Sequence, residues 1–339
     1  MKIVLDGMGG DNAPAAIVGG AVLASRETKH EIVIIGREKA IKKELKKHKY
    51  DKNQISVVNA EEVIEMEDQP VKAVRSKKDS SMVKGLRMIK EGDGDLFISA
   101  GSTGALVAGS LFTIGRIHGI DRPAIASVYP ILGQNKASLL VDAGANAECK
   151  LDNMIQFAYM GSIYMDKVIG KKDPEVALVN IGEEEGKGSL LYKSAHAVLD
   201  RSSLNFIGNI EARDVPKGRC DVIVCDGFTG NVILKLTEGL AWNILKMLKE
   251  KLTSGNRAKL GALMLMPQIK ELRQEYDYSE YGGAPILGVK GPVVKMHGSS
   301  SENAVKNTIL KAIPYAEQNV VPMIENCVGD IEEILESES

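Results

Sequence analysis

The chain reads as one α/β domain built on a doubly wound, mostly parallel sheet with helices on both faces. Short apolar runs alternate with amphipathic stretches along nearly the whole length, the rhythm of repeated β-α units. Several runs are apolar without a break, such as Ile32-Val33-Ile34-Ile35 and Val222-Ile223-Val224, as in strands buried on both faces of a parallel sheet. No repeat, low-complexity tract or Pro-rich linker divides residues 1–339, so a single three-layer α/β/α unit is expected.

In chain order, strands are predicted at 2–5, 31–35, 55–58, 95–99, 124–129, 137–141, 175–181, 205–208 and 221–225, most of them short runs rich in Val, Ile or Leu. Helices are predicted at 13–26, 37–49, 102–117, 151–169 and 189–201 from their apolar periodicity. Residues 230–275 read as a projecting pair of long helices, broken near Thr253-Ser254-Gly255-Asn256. Leu260, Leu263, Met264 and Met266 form an apolar patch in the second of these. The tail from 301 is helical in pattern, with Pro314 and Pro322 expected to kink or divide it and an acidic, frayed end.

Composition narrows the function classes. Lys plus Arg (43) nearly balances Asp plus Glu (45), and aromatic residues are only 4% of the chain with one Trp. Neither a global positive field nor a base-stacking platform for nucleic acid is present in the sequence. Any anion site must be local. The four cysteines (Cys149, Cys220, Cys225 and Cys327) form no Cys-x-x-Cys pair and have no His at zinc spacing, so reduced thiols are expected. The first residues turn polar too soon for a signal peptide, and no apolar run reaches the ~20 residues of a membrane span, so a soluble, cytoplasmic protein is expected.

The predicted carboxyl ends of the strands are dense in Gly, Asp, Asn, Ser and Thr. The loops are Asp6-Gly7-Met8-Gly9-Gly10-Asp11-Asn12, Ser99-Ala100-Gly101-Ser102-Thr103-Gly104, Asp142-Ala143-Gly144-Ala145-Asn146, 180–188 and Asp226-Gly227-Phe228-Thr229-Gly230-Asn231. Each alone is a β-α turn. Together on one predicted rim they suit phosphate or another oxyanion, because glycine allows close backbone approach and helix N-termini present N–H groups. The Walker pattern, the Gly-x-Gly-x-x-Gly fingerprint and the Gly-x-Ser-x-Gly elbow are all missing. His297, with Ser299 in a Gly/Ser turn, could bind an anion, donate a proton or simply stabilise the turn. The acidic run Glu183–Glu185 reads as a solvated loop in preference to a metal site.

These loops, in this order, resemble those of the PlsX phosphate acyltransferase family, the acyl-ACP:phosphate acyltransferases of bacterial phospholipid synthesis. The likeness also takes in 115–123, 205–214 and 281–300. Gly7, Asn12 and Ser102 stand where the family commonly has Ala, His and Asn. The resemblance implies a sheet related to the isocitrate and isopropylmalate dehydrogenases and to the phosphotransacetylases, a homodimer, and no metal or other cofactor. It implies transfer of a fatty acyl group from acyl carrier protein to inorganic phosphate by direct attack on the thioester. On this reading Lys187 supplies the cation and Asn231 an oxyanion or phosphate donor. Asp6, Gly9, Gly10, Ser102, Thr103, Gly104, Asn146, Gly230, His297 and Ser299 line the phosphate pocket. The 253–275 patch serves dimerisation or contact with the membrane, where an integral glycerol-3-phosphate acyltransferase would take the product. Rival readings are an acyl-CoA enzyme of the phosphotransacetylase kind, a decarboxylating 2-hydroxyacid dehydrogenase, and a non-catalytic phosphate- or lipid-binding scaffold.

Overall fold

A computed structural model describes residues 1–131, 136–255, 261–263, 265–266 and 282–336. All nine predicted strands are present, with no end shifted by more than three residues: β1 (Lys2–Asp6), β2 (Glu31–Gly36), β3 (Ile55–Asn59), β4 (Leu96–Ser99), β5 (Ala124–Pro130), β6 (Ala137–Val141), β7 (Val176–Asn180), β8 (Phe206–Glu211) and β9 (Val222–Val224). Two more, β10 (Ala284–Leu287) and β11 (Val293–Lys295), were not predicted. They are short, and Pro285 and Pro292 sit in or beside them, which removes ladder donors and hides the strand pattern.

The strands form one 11-stranded sheet in the order β3-β2-β1-β4-β11-β10-β5-β6-β9-β7-β8. Pairing is parallel on both flanks and antiparallel at β11–β10, β10–β5 and β5–β6. Those three reversals make β6, β9, β7 and β8 run opposite to β1–β4. The sheet is therefore two parallel half-sheets joined through an antiparallel centre. The single rim expected from the sequence is in fact two.

Alternation along the strands separates two cores. Ile3, Leu5, Ile32, Ile34, Ile98 and Val141 face one cluster, while Val4, Val33, Ile35, Phe97 and Leu140 face the other. The helices are α1 (Ala15–Ser25), α2 (Glu38–Leu45), α3 (Pro70–Ser76), α4 (Ser81–Glu91), α5 (Thr103–Gly109), α6 (Leu151–Tyr164), α7 (Leu190–Asp200), α8 (Gly227–Leu252), α9 (Glu302–Glu317), α10 (Val320–Asn326) and α11 (Val328–Glu336). The last turns of α5 and α6 widen into π-helix at Ser110–Ile114 and Met165–Ile169.

Pro314 lies inside α9 without ending it, and Pro322 lies in the first turn of α10, where its missing N–H costs little. The division falls between them, at Asn319 with φ 51°. The tail is helical through Glu336, with Val328 and Ile331 of α11 buried in the core, and the last three residues lie outside the described residues.

The predicted first long helix is α8, starting at Gly227. At 26 residues it is about 39 Å long, and only Gly227 and Gly230, at its foot, are buried. Val232, Leu236, Leu240, Ile244 and Met247 are exposed and fall within an arc of about 120° around its axis. Of the predicted second helix, 261–263 and 265–266 are helical, and Leu263 and Met266 are exposed. Leu260, Met264 and most of 256–281 lie outside the described residues.

Candidate active site

Each half-sheet has a point where connections leave in opposite directions, the usual place for a ligand crevice in an open α/β sheet. In the first half it lies between β1 and β4, in the second between β6 and β9. Four of the five glycine-rich loops follow these four strands, and the fifth follows β7.

At the first point Asp6 is a buried brace. Its carboxylate accepts from Ser81 Oγ (2.6 Å), Ser99 Oγ (2.7 Å) and the Met8 N–H (3.2 Å). Ser99 Oγ in turn receives the Gly101 N–H at 3.0 Å. Gly9 and Gly10 are needed for close approach. A Cβ on Gly9 would lie 2.7 Å from the Gly101 nitrogen, and one on Gly10, at φ +92°, 2.7 Å from the Gly298 carbonyl. The 297–300 turn joins the same construction: the Asp11 N–H donates to Gly298 O at 2.8 Å, and Asn12 Nδ2 to Ser299 O and Ser300 O. His297 Nδ1 accepts from the Ser299 N–H (3.3 Å) and lies 2.9 Å from Ser299 Oγ, which puts the neutral ring's proton on Nε2. Ser102 is buried at the start of α5, followed by exposed Thr103 and Gly104.

At the second point Asp142 plays the corresponding part. Fully buried, it receives N–H groups from Ile125, Gly144, Ala145 and Asn146 and the Asn146 side-chain amide. Burial pushes its carboxyl up, against the pull of those donors. Asn146 Nδ2 also donates to Pro123 O at 2.7 Å, so this side chain shapes its own loop. The foot of α8 presses on that loop: a Cβ on Gly227 would lie 2.6 Å from Asp142 Oδ2, and one on Gly230 would overlap the Asp142 carbonyl oxygen. Asp226 caps the helix by accepting from the Thr229 N–H (2.8 Å) and is held by Tyr192 OH (2.7 Å). Asn231, exposed on the first turn, stands over Gly144, where a Cβ would come within 3.6 Å of Asn231 Oδ1.

The two points face one another. Thr103 and Gly104 from the first and Gly144 and Ala145 from the second line one groove. Lys187 lies on the loop after β7, next to β9 in the sheet. Its carbonyl accepts from Asn180 Nδ2 (3.1 Å), and its exposed ammonium is 3.8 Å from Glu184. Glu183 pairs with Arg219 at 2.5 Å, and no cluster of metal-ligating side chains occurs among the described residues.

All four cysteines are free, and burial pushes Cys149 and Cys327 up to about 11, Cys220 to about 12 and Cys225 well above the usual thiol range. None is a thiolate at neutral pH, so no ready cysteine nucleophile adjoins the groove.

The sequence reading missed Lys295. It ends β11 in register with Ser99, and its ammonium donates to the Met296 carbonyl and to Ala100 O (3.4 Å), pinning two of the loops from beneath. Burial pushes it from 10.5 down to about 8; Asp6 and Asp11 oppose this and Lys235 of α8 adds to it. In the unfolded chain Lys295 keeps its proton to about 10.5, so between about 8 and 10.5 the unfolded state binds more protons and stability rises with pH. Relative to Lys295→Met, the wild type should therefore gain up to about 3 kcal/mol across that window. Urea midpoints measured at pH 7 to 10 would check this, and parallel curves for the two proteins would contradict it.

The layered sheet and the loop-built cleft define an α/β protein of the phosphotransacetylase architecture. A phosphotransacetylase from Streptococcus pyogenes superposes with a TM-score of 0.64 at 16% identity, covering 94% of each chain. A 4-hydroxythreonine-4-phosphate dehydrogenase from Klebsiella pneumoniae superposes at 0.55 with 11% identity, over 93% of this chain and 99% of the other. In sequence, residues 1–323 match the family described as "Fatty acid synthesis protein". A phosphate acyltransferase of Clostridium tetani is 51% identical over 98% of this chain and 99% of its own, and one of Clostridioides difficile is 48% identical over 98% of each. The chain belongs to this phosphate acyltransferase family and is an enzyme of that class.

Proposed function

We propose that the enzyme moves a fatty acyl group from the thioester of acyl carrier protein to inorganic phosphate, releasing acyl phosphate and free carrier for phospholipid synthesis. The observation that carries this reading is the meeting of two glycine-rich crevices in one groove, without a ready cysteine nucleophile beside it. A phosphate oxygen attacks the thioester carbonyl carbon and forms the new C–O bond. The tetrahedral oxyanion then collapses and expels the carrier thiolate, which takes up the proton lost by phosphate. The thiolate leaves readily, so the protein's task is to position the reactants and stabilise the oxyanion.

Lys187 supplies positive charge, and Asn231 donates to the oxyanion or to phosphate. Ser102, Thr103, Gly104, His297 and Ser299 bound the phosphate pocket, with His297 presenting Nε2–H. Asp6, Gly9, Gly10, Asn146 and Gly230 hold the loops in place. The exposed arc of α8 is the contact face of a homodimer in the cytoplasm. Leu263 and Met266, with Leu260 and Met264, extend that face or rest on a membrane surface, where a glycerol-3-phosphate acyltransferase takes the product.

The test supplies hexadecanoyl carrier protein with and without phosphate and measures acyl phosphate and free carrier thiol. Equal, phosphate-dependent yields are expected, and no release from an active donor would end the reading. Hexadecanoyl-CoA in a parallel arm tests the rival donor, which the likeness to a phosphotransacetylase favours.

A further inference from the structure

The groove does not stop at the facing loops. From Thr103, Gly104 and Gly144 it continues along α5 over Val107 to Leu111 of the π turn, and it is flanked by Val71 of α3 and Phe112 of the same turn. Past the polar inner end its walls are apolar, and the cavity is about 180 Å³, room for about six groups of water size. Val71 also borders a wider depression of about 670 Å³ formed along α3 by Pro70 and the stems of Lys72 and Arg75. The path therefore starts at the crevice and runs outward across apolar side chains into a second hollow.

Two features keep it open. Gly104 faces Pro70, where a Cβ would come within 2.9 Å of the proline ring, so a larger residue would narrow the inner end. At the outer end the Arg75 guanidinium lies 4.8 Å over the Phe112 ring and holds it at the rim. Val71 and Phe112 are 46% and 51% exposed, a large apolar area left in water beside a polar crevice.

We infer that this groove between α3 and the α5–π segment binds the acyl chain of the donor, carbonyl end at Thr103, Gly104 and Gly144 and methyl end toward Val71 and Phe112. The occupant is a hydrocarbon chain, because the lining offers an apolar track whose inner end coincides with the proposed reaction centre. Val71, Leu111 and Phe112 are then the residues that set chain-length preference. The assignment of a donor acyl group rests on the acyl phosphate reading above.

The test narrows the track from each side with Val71→Trp, at an exposed position the fold tolerates, and Leu111→Trp. Each is assayed with hexadecanoyl and butyryl carrier protein, while a diazirine-tagged palmitic acid is photocrosslinked to the wild type. The ratio of kcat/KM for the long donor over the short should fall roughly tenfold or more in each variant. The label should appear on peptides spanning 70–76 and 103–112. Equal losses with both donors would place the carrier's pantetheine arm in the groove and overturn the inference, as would unchanged ratios or label elsewhere. If the wild type turns over neither donor while palmitate labels the groove, the acyl phosphate reading fails and the chain site stands.

Discussion

Lys187→Ala should lower acyl phosphate formation by about two to three orders of magnitude while leaving the melting temperature nearly unchanged. The two halves of that expectation have separate grounds. The Lys187 ammonium is exposed and its one ionic partner among the described residues, Glu184, is an exposed neighbour at 3.8 Å, a pair of little value to stability. The backbone of the loop is held independently, through Asn180 Nδ2 on the Lys187 carbonyl and the Lys187 N–H on Glu184 O. Removing the side chain should therefore remove charge without moving the loop. In the proposed reaction that charge meets a phosphate dianion and the negative oxygen growing on the carbonyl carbon, where a lost cation acts directly on the barrier. Lys187→Arg should recover part of the rate. Steady-state kinetics with phosphate as the varied substrate, alongside thermal melts, measure both halves, and near-normal turnover of the alanine variant would remove Lys187 from the mechanism.

The second large effect is structural. A methyl group on Gly230 would overlap the Asp142 carbonyl oxygen and lie 3.0 Å from Cys225 Sγ, and both neighbours belong to buried strand ends that cannot retreat. Gly230 and Gly227 are the only fully buried residues of α8, so this turn seats the foot of the helix, with Ile233 and Leu234 packed beside the core and Thr237 hydrogen-bonded to Tyr129 just above it. Gly230→Ala should destabilise the fold by about 3 kcal/mol or more, or else tilt the helix and carry Asn231 off Gly144 with loss of activity. Gly239→Ala is the matched control. That position is open, and alanine there should be neutral or stabilise by about 0.5–1 kcal/mol. Thermal melts and turnover of the two variants check the contrast; equal behaviour would contradict the seating of α8.

These two positions also illustrate what the sequence could convey. The nine predicted strands were legible because most are continuous apolar runs, and the loops after β1, β4, β6, β7 and β9 were legible because glycine clusters mark where those runs end. Gly230 was visible as one of these. What makes it indispensable, the carbonyl of Asp142, is distant in sequence and had no signal. The division of one rim into two followed from β10 and β11, whose prolines and shortness concealed them. Lys295 was missed for the same reason: a lone lysine after Val293-Val294 becomes a half-buried cation only once β11 is placed beside β4. Helices α3 and α4 were missed as well. Gly85 interrupts the second of them, and the structure explains it, since the Phe97 ring occupies the space a side chain would need. The start of α8 was set three residues late because Gly-Phe-Thr-Gly is a poor helical opening by propensity, although Asp226 supplies a helix cap.

The central claim is direct attack of phosphate on the thioester, with no acyl group resting on the protein. A single-turnover experiment addresses it: excess enzyme is mixed with radiolabelled hexadecanoyl carrier protein, first without phosphate and then with it. The account predicts no carrier thiol and no protein-bound label until phosphate is added, followed by thiol and acyl phosphate in equal amounts. Thiol release before phosphate, with label left on the chain, would contradict it.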